Sequence, residues 1–572
     1  MTNNYKCAII KITVRAGKLH LSSIIHYPSC TITYGAVKRL DKGACRFMKV
    51  NKNLYLSLIV ILIFVYFGLL TILYVSESAN EHAMIQTFGD ALWYSLVTLT
   101  TVGYGDLVPV TPLGHVVGMI FLLLSAGIMV TLLGGLLSFV ASEGMPFFLL
   151  GLQRKKNWYY FVDYGVESNI LATNIYKEDP NALIIYGEKR SSQSESPSYP
   201  CLYLSASPDK IVAKKKNVGT KCKVFLMKEN DIGFNWRAVN LYELPVEVYA
   251  RTTNGQDKLS DNIHFFNSYE CCARQYWRSK PLCSYENTIV LIGFGNYGQR
   301  ILERAILTNI ISVAQHVAYH IFGDAKEFLN VHNCLDNLFS LNKESGEKDS
   351  LIFHREAWEK HHSLLERADR IIICEDDEQK GWSIFWTLRK YYLLYGRIDL
   401  RNSWKAPGIS CFGTNEDIYT TQQIIRTDLN KAAIMMNEIF RRSVSYSALS
   451  WERLDDLHRQ SKIVAADHLL MKTRILLKDE TITKLTVSAV KEAYNQYCES
   501  KSSEEARKMY RKLEHMRSYR FYAFYNWNYG LIRDDTERQH PMLRPFEELT
   551  EEQQQERDAA WELMGRLYGE LE

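Results

Sequence analysis

The seven residues from position 100 to 106 read Thr-Thr-Val-Gly-Tyr-Gly-Asp, a string with the chemistry of a path for a dehydrated cation. A potassium ion that sheds its water needs rings of oxygen dipoles, and an extended backbone from four subunits can supply them. The two glycines reach backbone angles closed to other residues, which lets successive carbonyls face one axis. The residues predicted to form this filter are Thr101, Val102, Gly103, Tyr104, Gly105 and Asp106, with K⁺ bound by the first four.

A second glycine motif follows a β-branched run at residues 287–292 and precedes a helical run. It reads Gly293-Phe-Gly295-Asn-Tyr-Gly298. A strand, a glycine turn and a helix in this order place a pyrophosphate at the N-terminus of the helix, so NAD or another nucleotide is a candidate cofactor. Asp324, near the end of the next strand, is the candidate ribose-binding residue. The alternative is a glycine turn kept only for close packing.

The last quarter of the chain combines aromatic faces with cationic groups. Trp527 and Tyr529 offer surfaces on which a base can stack, and three nearby cationic residues offer donors for phosphate. The alternative is that the aromatic rings belong to the core and the charges are solvated. The candidate ligand-binding residues of this segment are Trp527, Tyr529, Arg533, Asp534, His540 and Arg544.

Two long apolar runs flank the first motif and must position it. Residues 54–75 and 113–141 are each long enough to span the hydrocarbon core of a bilayer. Residues 88–99 are too few to span it but suffice for a pore helix, whose negative C-terminal end would point at a cation. These flanks weigh against a chance glycine-rich turn. Trp93 and Tyr94 on the short helix are expected to brace the filter.

Charges beside the two runs predict their orientation. Lys49 and Lys52 precede the first run and three basic residues at 154–156 follow the second, whereas residues 76–90 hold three acidic residues, among them Glu77, and no Lys or Arg. Because positive charge favours the cytoplasmic side, both termini are predicted to be cytoplasmic, with two spans in the cell (inner) membrane.

Neither run carries arginines at every third position, so intrinsic voltage sensing is not expected and opening must be driven from elsewhere in the chain. Gly127 and the pair Gly134-Gly135 lie in the second run. They are candidates for a gate hinge at which a pore-lining helix bends. The alternative is that they allow close helix packing.

Composition excludes several classes of function. The chain has 572 residues, a formal net charge of +4 and 23% charged residues, and its basic residues are too dispersed to predict nucleic-acid binding. None of the 12 cysteines lies in residues 76–90 and no pair has CxxC spacing, so neither disulfides nor structural zinc are expected. No convincing acid, base or substrate-pocket motif stands out, and no enzymatic activity is predicted.

Beyond the second run, strands and helices alternate, which predicts parallel α/β sheets. The predicted strands are residues 158–163, 182–186, 222–227 and 246–250 in a first domain, and 287–292, 316–322, 350–353, 369–374 and 408–412 in a second. The first domain has a turn with a single glycine, Gly165, between Asp163 and Glu167. Because these carboxylates would repel phosphate, no dinucleotide is expected there.

The chain is thus predicted to be multidomain. Its parts are an N-terminal extension (1–47), an all-α two-span pore module (48–156), two α/β Rossmann-like domains (157–284 and 285–446) and a mainly α C-terminal domain (447–572). Met48 would begin a short cytoplasmic segment that precedes the first apolar run. We therefore hypothesise that translation begins at Met48.

Three resemblances support this organisation. Residues 48–145, with the filter between two apolar runs, resemble the two-span prokaryotic potassium channels, although Val97 stands where some relatives keep a carboxylate. Residues 157–446 resemble the tandem regulator-of-potassium-conductance (RCK) domains, which implies a homotetramer with a cytoplasmic gating ring. The C-terminal strings Ala-Ala-Asp467-His468, Trp527-Asn-Tyr-Gly and Arg-Pro-Phe546-Glu-Glu-Leu resemble the ryanodine-receptor repeat (RyR) domain, whose usual tyrosine is replaced by Phe546.

These resemblances imply a potassium-selective channel in the lipid membrane, gated by a nucleotide-like ligand that the C-terminal domain senses. One alternative keeps the pore but places the sensor at residues 293–298, where NAD or another adenine nucleotide would regulate it. A second alternative, from a different class, is a membrane-tethered NAD-dependent oxidoreductase.

Overall fold

The computed structural model describes residues 52–141, 144–188, 197–215, 221–228, 241, 245–253, 262–338, 349–444 and 449–571. The predicted extension, Met48 and Lys49 lie outside the described residues. The chain divides into two compact units, Met1–Phe139 and Val140–Glu572, and each is described by itself.

Among its described residues, the first unit has three helices, α1 (Lys52–Ser78), α2 (Phe88–Leu99) and α3 (Pro112–Ala141). They overlap the three helical segments predicted from the sequence. Helix α2 begins with a capping box, in which the hydroxyl of Thr87 accepts from the Asp90 N–H and the Asp90 carboxylate accepts from the Thr87 N–H. Within the part of the chain described here, no helix combines the length and the apolarity that crossing a membrane requires.

A small apolar cluster packs the three helices of the first unit together. Tyr66 of α1 also makes a hydroxyl–hydroxyl hydrogen bond of 2.8 Å with Ser95 of α2. The buried members of the cluster are Leu70, Leu73, Ile85, Ala91, Val117 and Phe121. Helix α2 is therefore fixed between α1 and α3 before the chain enters the candidate filter.

The second unit begins with α4 (Gly144–Leu152) and a sheet of six parallel strands in the spatial order β3-β2-β1-β4-β5-β6. The strands are β1 (Asn157–Phe161), β2 (Ala182–Tyr186), β3 (Cys201–Tyr203), β4 (Cys222–Leu226), β5 (Glu247–Arg251) and β6 (Ile263–Phe266). The helices that follow these strands are α5 (Val166–Glu178), α6 (Pro208–Lys214) and α7 (Ser268–Ser279).

A second six-stranded parallel sheet repeats the same plan, in the order β12-β11-β10-β7-β8-β9. Its strands are β7 (Thr288–Ile292), β8 (Ala318–Phe322), β9 (Ser350–His354), β10 (Arg370–Ile373), β11 (Arg397–Arg401) and β12 (Cys411–Phe412). Its helices are α8 (Asn296–Thr308), α9 (Lys326–Val331), α10 (His362–Arg367), α11 (Glu378–Tyr391), α12 (Asn415–Ile418) and α13 (Thr421–Ile424). Both sheets have the strand order of a doubly wound nucleotide-binding fold.

The prediction of two Rossmann-like α/β domains is therefore confirmed. Strand β2 coincides with the predicted residues 182–186, and the other predicted strands are present with shifted ends. The prediction at residues 408–412 is too long, since β12 has only two residues. Strands β3, β6 and β11 were not predicted.

The C-terminal part is mainly helical. Its elements are α14 (Lys431–Val444), α15 (Asp456–Asp467), α16 (Leu469–Leu477), α17 (Val487–Ser500), α18 (Glu504–Phe524), β13 (Asn528–Tyr529), β14 (Gln539–His540), α19 (Glu551–Gln555) and α20 (Ala559–Leu571). Two buried ion pairs attach it to the α/β part. The guanidinium of Arg520 in α18 lies 2.8 Å from the carboxylate of Asp349 beside β9. The guanidinium of Arg274 in α7 lies 2.7 Å from the carboxylate of Asp467 in α15.

Candidate functional site

The backbone after α2 turns its N–H groups toward the end of that helix. The N–H groups of Val102 and Gly103 both donate to the carbonyl oxygen of Val97, at 3.0 and 3.3 Å. No peptide bond in the described chain is cis, and in a trans peptide the N–H and the preceding carbonyl point in opposite directions. The carbonyls of Thr101 and Val102 therefore point away from α2.

In the candidate filter, the sign of the backbone angle φ also alternates from residue to residue. Thr101, Gly103 and Gly105 have φ angles of +58°, +61° and +72°, whereas Val102 and Tyr104 do not have positive φ. Alternation of this kind turns successive carbonyls to the same side, which a regular strand cannot do because its carbonyls alternate. A positive φ at a β-branched residue such as Thr101 is strained, and such strain is characteristic of functional sites.

The two residues expected to brace the filter take different roles within one chain. Trp93 donates from its indole N–H to the Asp106 carboxylate at 2.9 Å, and its ring lies parallel to that of Tyr104 with centroids 6.2 Å apart. The hydroxyl of Tyr94 instead packs against α3, because a Cβ added at Gly118 would lie 2.5 Å from it. Trp93 thus contacts Asp106 and Tyr104 of the candidate filter directly, whereas Tyr94 contacts helix α3.

Glu77 has a role that the sequence did not predict. In the sequence it counts only among the acidic residues of 76–90, but its side chain is fully buried at the end of α1. Its carboxylate accepts from the N–H groups of Val110 and Thr111, at 2.9 and 3.0 Å, and from the Thr111 hydroxyl. Because these donors precede the first turn of α3, Glu77 ties the end of α1 to the start of α3.

The candidate hinge glycines Gly127, Gly134 and Gly135 all lie inside α3, which is continuous from Pro112 to Ala141. The helix is unbroken at each of them. Their assignment as a gate hinge therefore stays a prediction.

The glycines of the second motif are required by close backbone approach. Gly293 has φ +94°, and a Cβ there would lie 2.7 Å from the backbone nitrogen of Glu375. A Cβ at Gly298 would lie 2.2 Å from the Gly293 carbonyl oxygen. Asp324 is exposed two residues beyond β8, and its carboxylate accepts from the Lys326 N–H at 3.0 Å. The alternative reading of this motif, close packing, thus explains two of its glycines.

A carboxylate of the chain itself occupies the position where a phosphate would bind. The Asp376 side chain, just after β10, accepts from the N–H groups of Asn296 and Tyr297 at 3.1 and 3.3 Å. These donors belong to the first turn of α8, which is the anion-binding end of the helix. The same carboxylate fills the space beside Gly295. A nucleotide phosphate at this turn would have to displace Asp376.

Replacing this carboxylate is expected to open the turn to nucleotides. With Asp376→Ala, ADP should bind the purified full chain about tenfold more tightly than it binds the wild type, because two free N–H donors replace a competing negative charge. Isothermal titration of ADP measures the difference. Glu375→Ala is the matched control, since Glu375 pairs with Lys380 and leaves the turn unchanged. Equal ADP affinity in the wild type and Asp376→Ala would contradict the competition.

The equivalent turn of the first sheet is also occupied by acidic groups. Asp163 is buried, and its carboxylate accepts from the Lys228 N–H at 3.1 Å. Glu167 lies in the first turn of α5, 3.9 Å from the guanidinium of Arg251. Both carboxylates stand close to the position that phosphate would need.

In the C-terminal part, the structure brings together three of the candidate ligand residues. Trp527 is buried, and its indole N–H has no hydrogen-bond partner within the described part of the chain. The Arg533 guanidinium lies 5.5 Å from the Trp527 ring centroid. The His540 ring lies 6.3 Å from the Trp527 ring. Tyr522 contacts both rings, at 5.1 and 4.8 Å, and was missed in the sequence because it lies inside a helix with many aromatic residues.

The remaining candidates are less closely associated. Tyr529 is 47% exposed, and the Arg544 guanidinium lies 5.9 Å from its ring. Asp534 is engaged locally, since its carboxylate accepts from the N–H groups of Thr536 and Glu537 and so closes its own turn. Asp534 is therefore better explained as a turn residue than as a ligand contact.

The electrostatic environment keeps His540 neutral. Burial, assisted by the positive charges of Arg533 and Arg557, lowers the pKa of His540 to about 4. Its Nδ1 accepts from the Met542 N–H at 3.2 Å, so the proton of the neutral ring is on Nε2. His540 can therefore donate one hydrogen bond at neutral pH but brings no charge to a ligand.

The family match falls almost entirely within the first unit. Residues 57–142 match the family model described as an ion channel. A voltage-gated potassium channel of Aeropyrum pernix is 42% identical over 62 residues, which are 11% of this chain and 21% of the relative. The calcium-gated potassium channel TvoK of Thermoplasma volcanium is 39% identical over 75 residues, 13% of this chain and 20% of the relative. The chain thus spans about a fifth of the length of these curated relatives.

Among solved structures, the chain is similar to the GsuK channel bound to ADP, at 12% identity and a TM-score of 0.37, over 65% of this chain and 99% of the other. GsuK bound to NAD is similar at 11% identity and a TM-score of 0.33, over 67% and 86% of the two chains. The segment that matches the ion channel family contains α2 and the whole candidate filter, and both of these curated relatives are potassium channels.

Proposed function

We propose that this chain is one subunit of a homotetrameric, potassium-selective channel in the cell (inner) membrane. The observation that carries the proposal is the filter backbone, in which φ is positive at alternate residues and the peptide N–H groups face the pore helix. One chain supplies one wall of such a filter, and four are needed to surround an ion. The match of residues 57–142 to the ion channel family supports the same conclusion.

We further propose that a nucleotide-like ligand gates the channel and binds the C-terminal domain. Support comes from the contacts of Arg533 and His540 with the buried Trp527 ring, whose indole N–H has no hydrogen-bond partner among the described residues. A ligand shifts a gate only if it binds one conformation more tightly than the other. Binding at this domain must therefore differ between the open and closed channel.

Potassium flux through proteoliposomes of the purified full chain tests the proposal. The panel contains NAD, ADP-ribose derivatives and cyclic mono- and dinucleotides, and a filter variant serves as the blank. Flux that changes with one compound supports a ligand-gated channel. Flux that ignores the whole panel would contradict nucleotide gating, and the absence of flux would contradict the pore.

Arg533→Ala is expected to reduce the ligand response at least about tenfold, because a guanidinium beside an aromatic face contributes a charge-assisted contact to a phosphate-bearing ligand. The measurement is the ligand concentration that half-maximally changes the flux. Leu531→Ala is the control, since that side chain on the same loop is 84% exposed. An unchanged response in Arg533→Ala would remove the sensor assignment.

The two alternatives receive less support. Regulation by NAD or an adenine nucleotide at residues 293–298 is opposed by the Asp376 carboxylate at that turn. For a membrane-tethered oxidoreductase, that turn would also have to accept the cofactor phosphates. Nucleotide turnover by the purified protein would be required to restore the second alternative.

A further inference from the structure

Arg557 is a largely buried cation without a close anionic partner among the described residues. It lies just before α20 and its side chain is 13% exposed. Its Nε has no hydrogen-bond partner. The carboxylate within ion-pair reach is that of its neighbour Glu556, at 3.9 Å and 61% exposed, and its Nη2 contacts the sulfur of Met542. Burying a charge without a close partner destabilises a fold, so Arg557 needs an explanation.

Other arginines nearby are paired in the ordinary way. Arg511 makes two hydrogen bonds to the Asp558 carboxylate, at 2.8 and 2.6 Å. Arg517 makes two to Glu514, at 2.9 and 2.6 Å. The same domain therefore neutralises comparable guanidinium groups with carboxylates that accept two hydrogen bonds, from both oxygens of Asp558 and from one oxygen of Glu514. Arg557 sits directly beside Asp558 in sequence and yet does not share it.

Arg557 belongs to the cationic side of the candidate ligand site. Its charge, together with that of Arg533, lowers the pKa of His540. Met542 links the two sides, because it contacts Arg557 and donates its N–H to His540. Arg544 adds a third cation, with its Nη2 on the Gln553 side-chain oxygen at 3.1 Å and its buried Nε unpartnered.

These groups form one cluster, which we call the cationic cluster and define as Arg533, Arg544 and Arg557. The carboxylate bonded to it at short range among the described residues is Asp535, 2.8 Å from Arg533. Arg533 of the cluster lies 5.5 Å from the ring centroid of the buried Trp527, whose indole N–H has no hydrogen-bond partner among the described residues. Several unpaired donors and an excess of positive charge next to a flat aromatic group match a ligand that carries both a phosphate and an aromatic ring.

We propose that Arg557 anchors the phosphate group of a phosphate-bearing aromatic ligand at the cationic cluster. This inference rests on the proposed ligand site in the C-terminal domain but not on conduction by the pore. The charges of Glu514 and Glu556 act on the guanidinium, but no carboxylate of the described residues lies closer to it than that of Glu556, at 3.9 Å, so an incoming oxyanion can become its hydrogen-bonded partner. The free protein then carries a destabilising charge that the ligand neutralises on binding.

Thermal unfolding of the full chain in detergent tests this assignment, with pyrophosphate as the probe at constant ionic strength. Wild-type protein is expected to be stabilised by pyrophosphate. Arg557→Met, which keeps the length and apolar stem of the side chain, is expected to unfold at a higher temperature than the wild type without the probe. It should also bind pyrophosphate at least about tenfold more weakly.

Arg511→Met is the matched control, because it removes a paired arginine from the same domain. It should lower the unfolding temperature and keep the pyrophosphate response. Two results would overturn the assignment: a wild-type protein that pyrophosphate does not stabilise, or an Arg557→Met protein with an unchanged pyrophosphate response. Because binding is read here without ion flux, a failure of this assay is distinguishable from a failure of the channel proposal.

Discussion

Gly103→Ala is expected to abolish potassium-selective flux, with a loss of about 100-fold or more. Residue 103 has φ +61°, where an added Cβ costs about 1–2 kcal/mol in each subunit, and a tetramer would carry four such residues. Relief of that strain would rotate the peptide and turn a carbonyl out of line with its neighbours. The measurement is K⁺ flux in proteoliposomes, together with the ratio of K⁺ to Na⁺ flux.

Gly68→Ala is the matched control for this substitution. Gly68 lies in α1 with no atom within 4 Å of an added Cβ, and alanine favours a helix over glycine by about 1 kcal/mol. Flux should therefore be retained. If Gly103→Ala conducts K⁺ at the wild-type rate and selectivity, the assignment of residues 101–106 as the filter is wrong.

Asp467→Asn is expected to destabilise the second unit by about 3–5 kcal/mol. Asp467 is buried and joins α15 to α7 through Arg274 at 2.7 Å and Arg278 at 2.6 Å. Neutralising it leaves two arginines, one of them fully buried, without their carboxylate. Denaturant unfolding of the full chain, followed by circular dichroism, measures the loss. Asp324→Asn, at an exposed position, should leave the midpoint unchanged and serves as the control.

Asp467 also predicts a pH dependence. Burial alone would raise the pKa of this carboxyl, but Arg274 and Arg278 outweigh it and lower the pKa to about 2. The contribution to stability is therefore complete above the unfolded pKa of about 3.9 and is lost as the pH falls toward 2, by about 2.5 kcal/mol. In Asp467→Asn this component should be missing. A wild-type and variant pair with parallel acid-unfolding curves would contradict the assignment.

Local patterns explain what the sequence predicts well. The backbone angles of the candidate filter follow from its own residues, because glycine at 103 and 105 permits the positive φ that the alternating sign of φ requires. The helix α2 and strand β2 are likewise local, with a capping residue in one case and a short apolar run in the other. The repeated spacing of strands and helices was enough to predict two parallel sheets.

Long-range pairing explains what the sequence could not show. Strand β11 reads Arg-Ile-Asp-Leu-Arg and looks like an exposed segment, yet Asp399 is fully buried because Lys280 and Arg397 neutralise it. Asp376 lies 80 residues beyond Asn296, whose N–H it receives, and no motif connects the two. Likewise, Arg557 reads as an ordinary charge in an acidic segment until its burial is known.

The signature residues of the C-terminal resemblance also divide between packing and binding only in three dimensions. Asp467 and His468 are both buried, the first in ion pairs and the second with its Nε2 at 3.0 Å from the Ile310 carbonyl oxygen. These two residues hold the domain in place, whereas Trp527 and Arg533 border the candidate ligand site. A sequence pattern gives no means of separating the two groups.

The buried Glu77 has a mechanical consequence for the first unit. By receiving the N–H groups of Val110 and Thr111, it fastens α1 to α3 at the end where both helices approach the filter segment. Two helices that are joined at one end can separate only at the other end. If α1 and α3 move apart, their separation must therefore increase toward the start of α1 and the end of α3. That half of α3 contains Gly134 and Gly135. The geometry around residues 101–106 would stay constant.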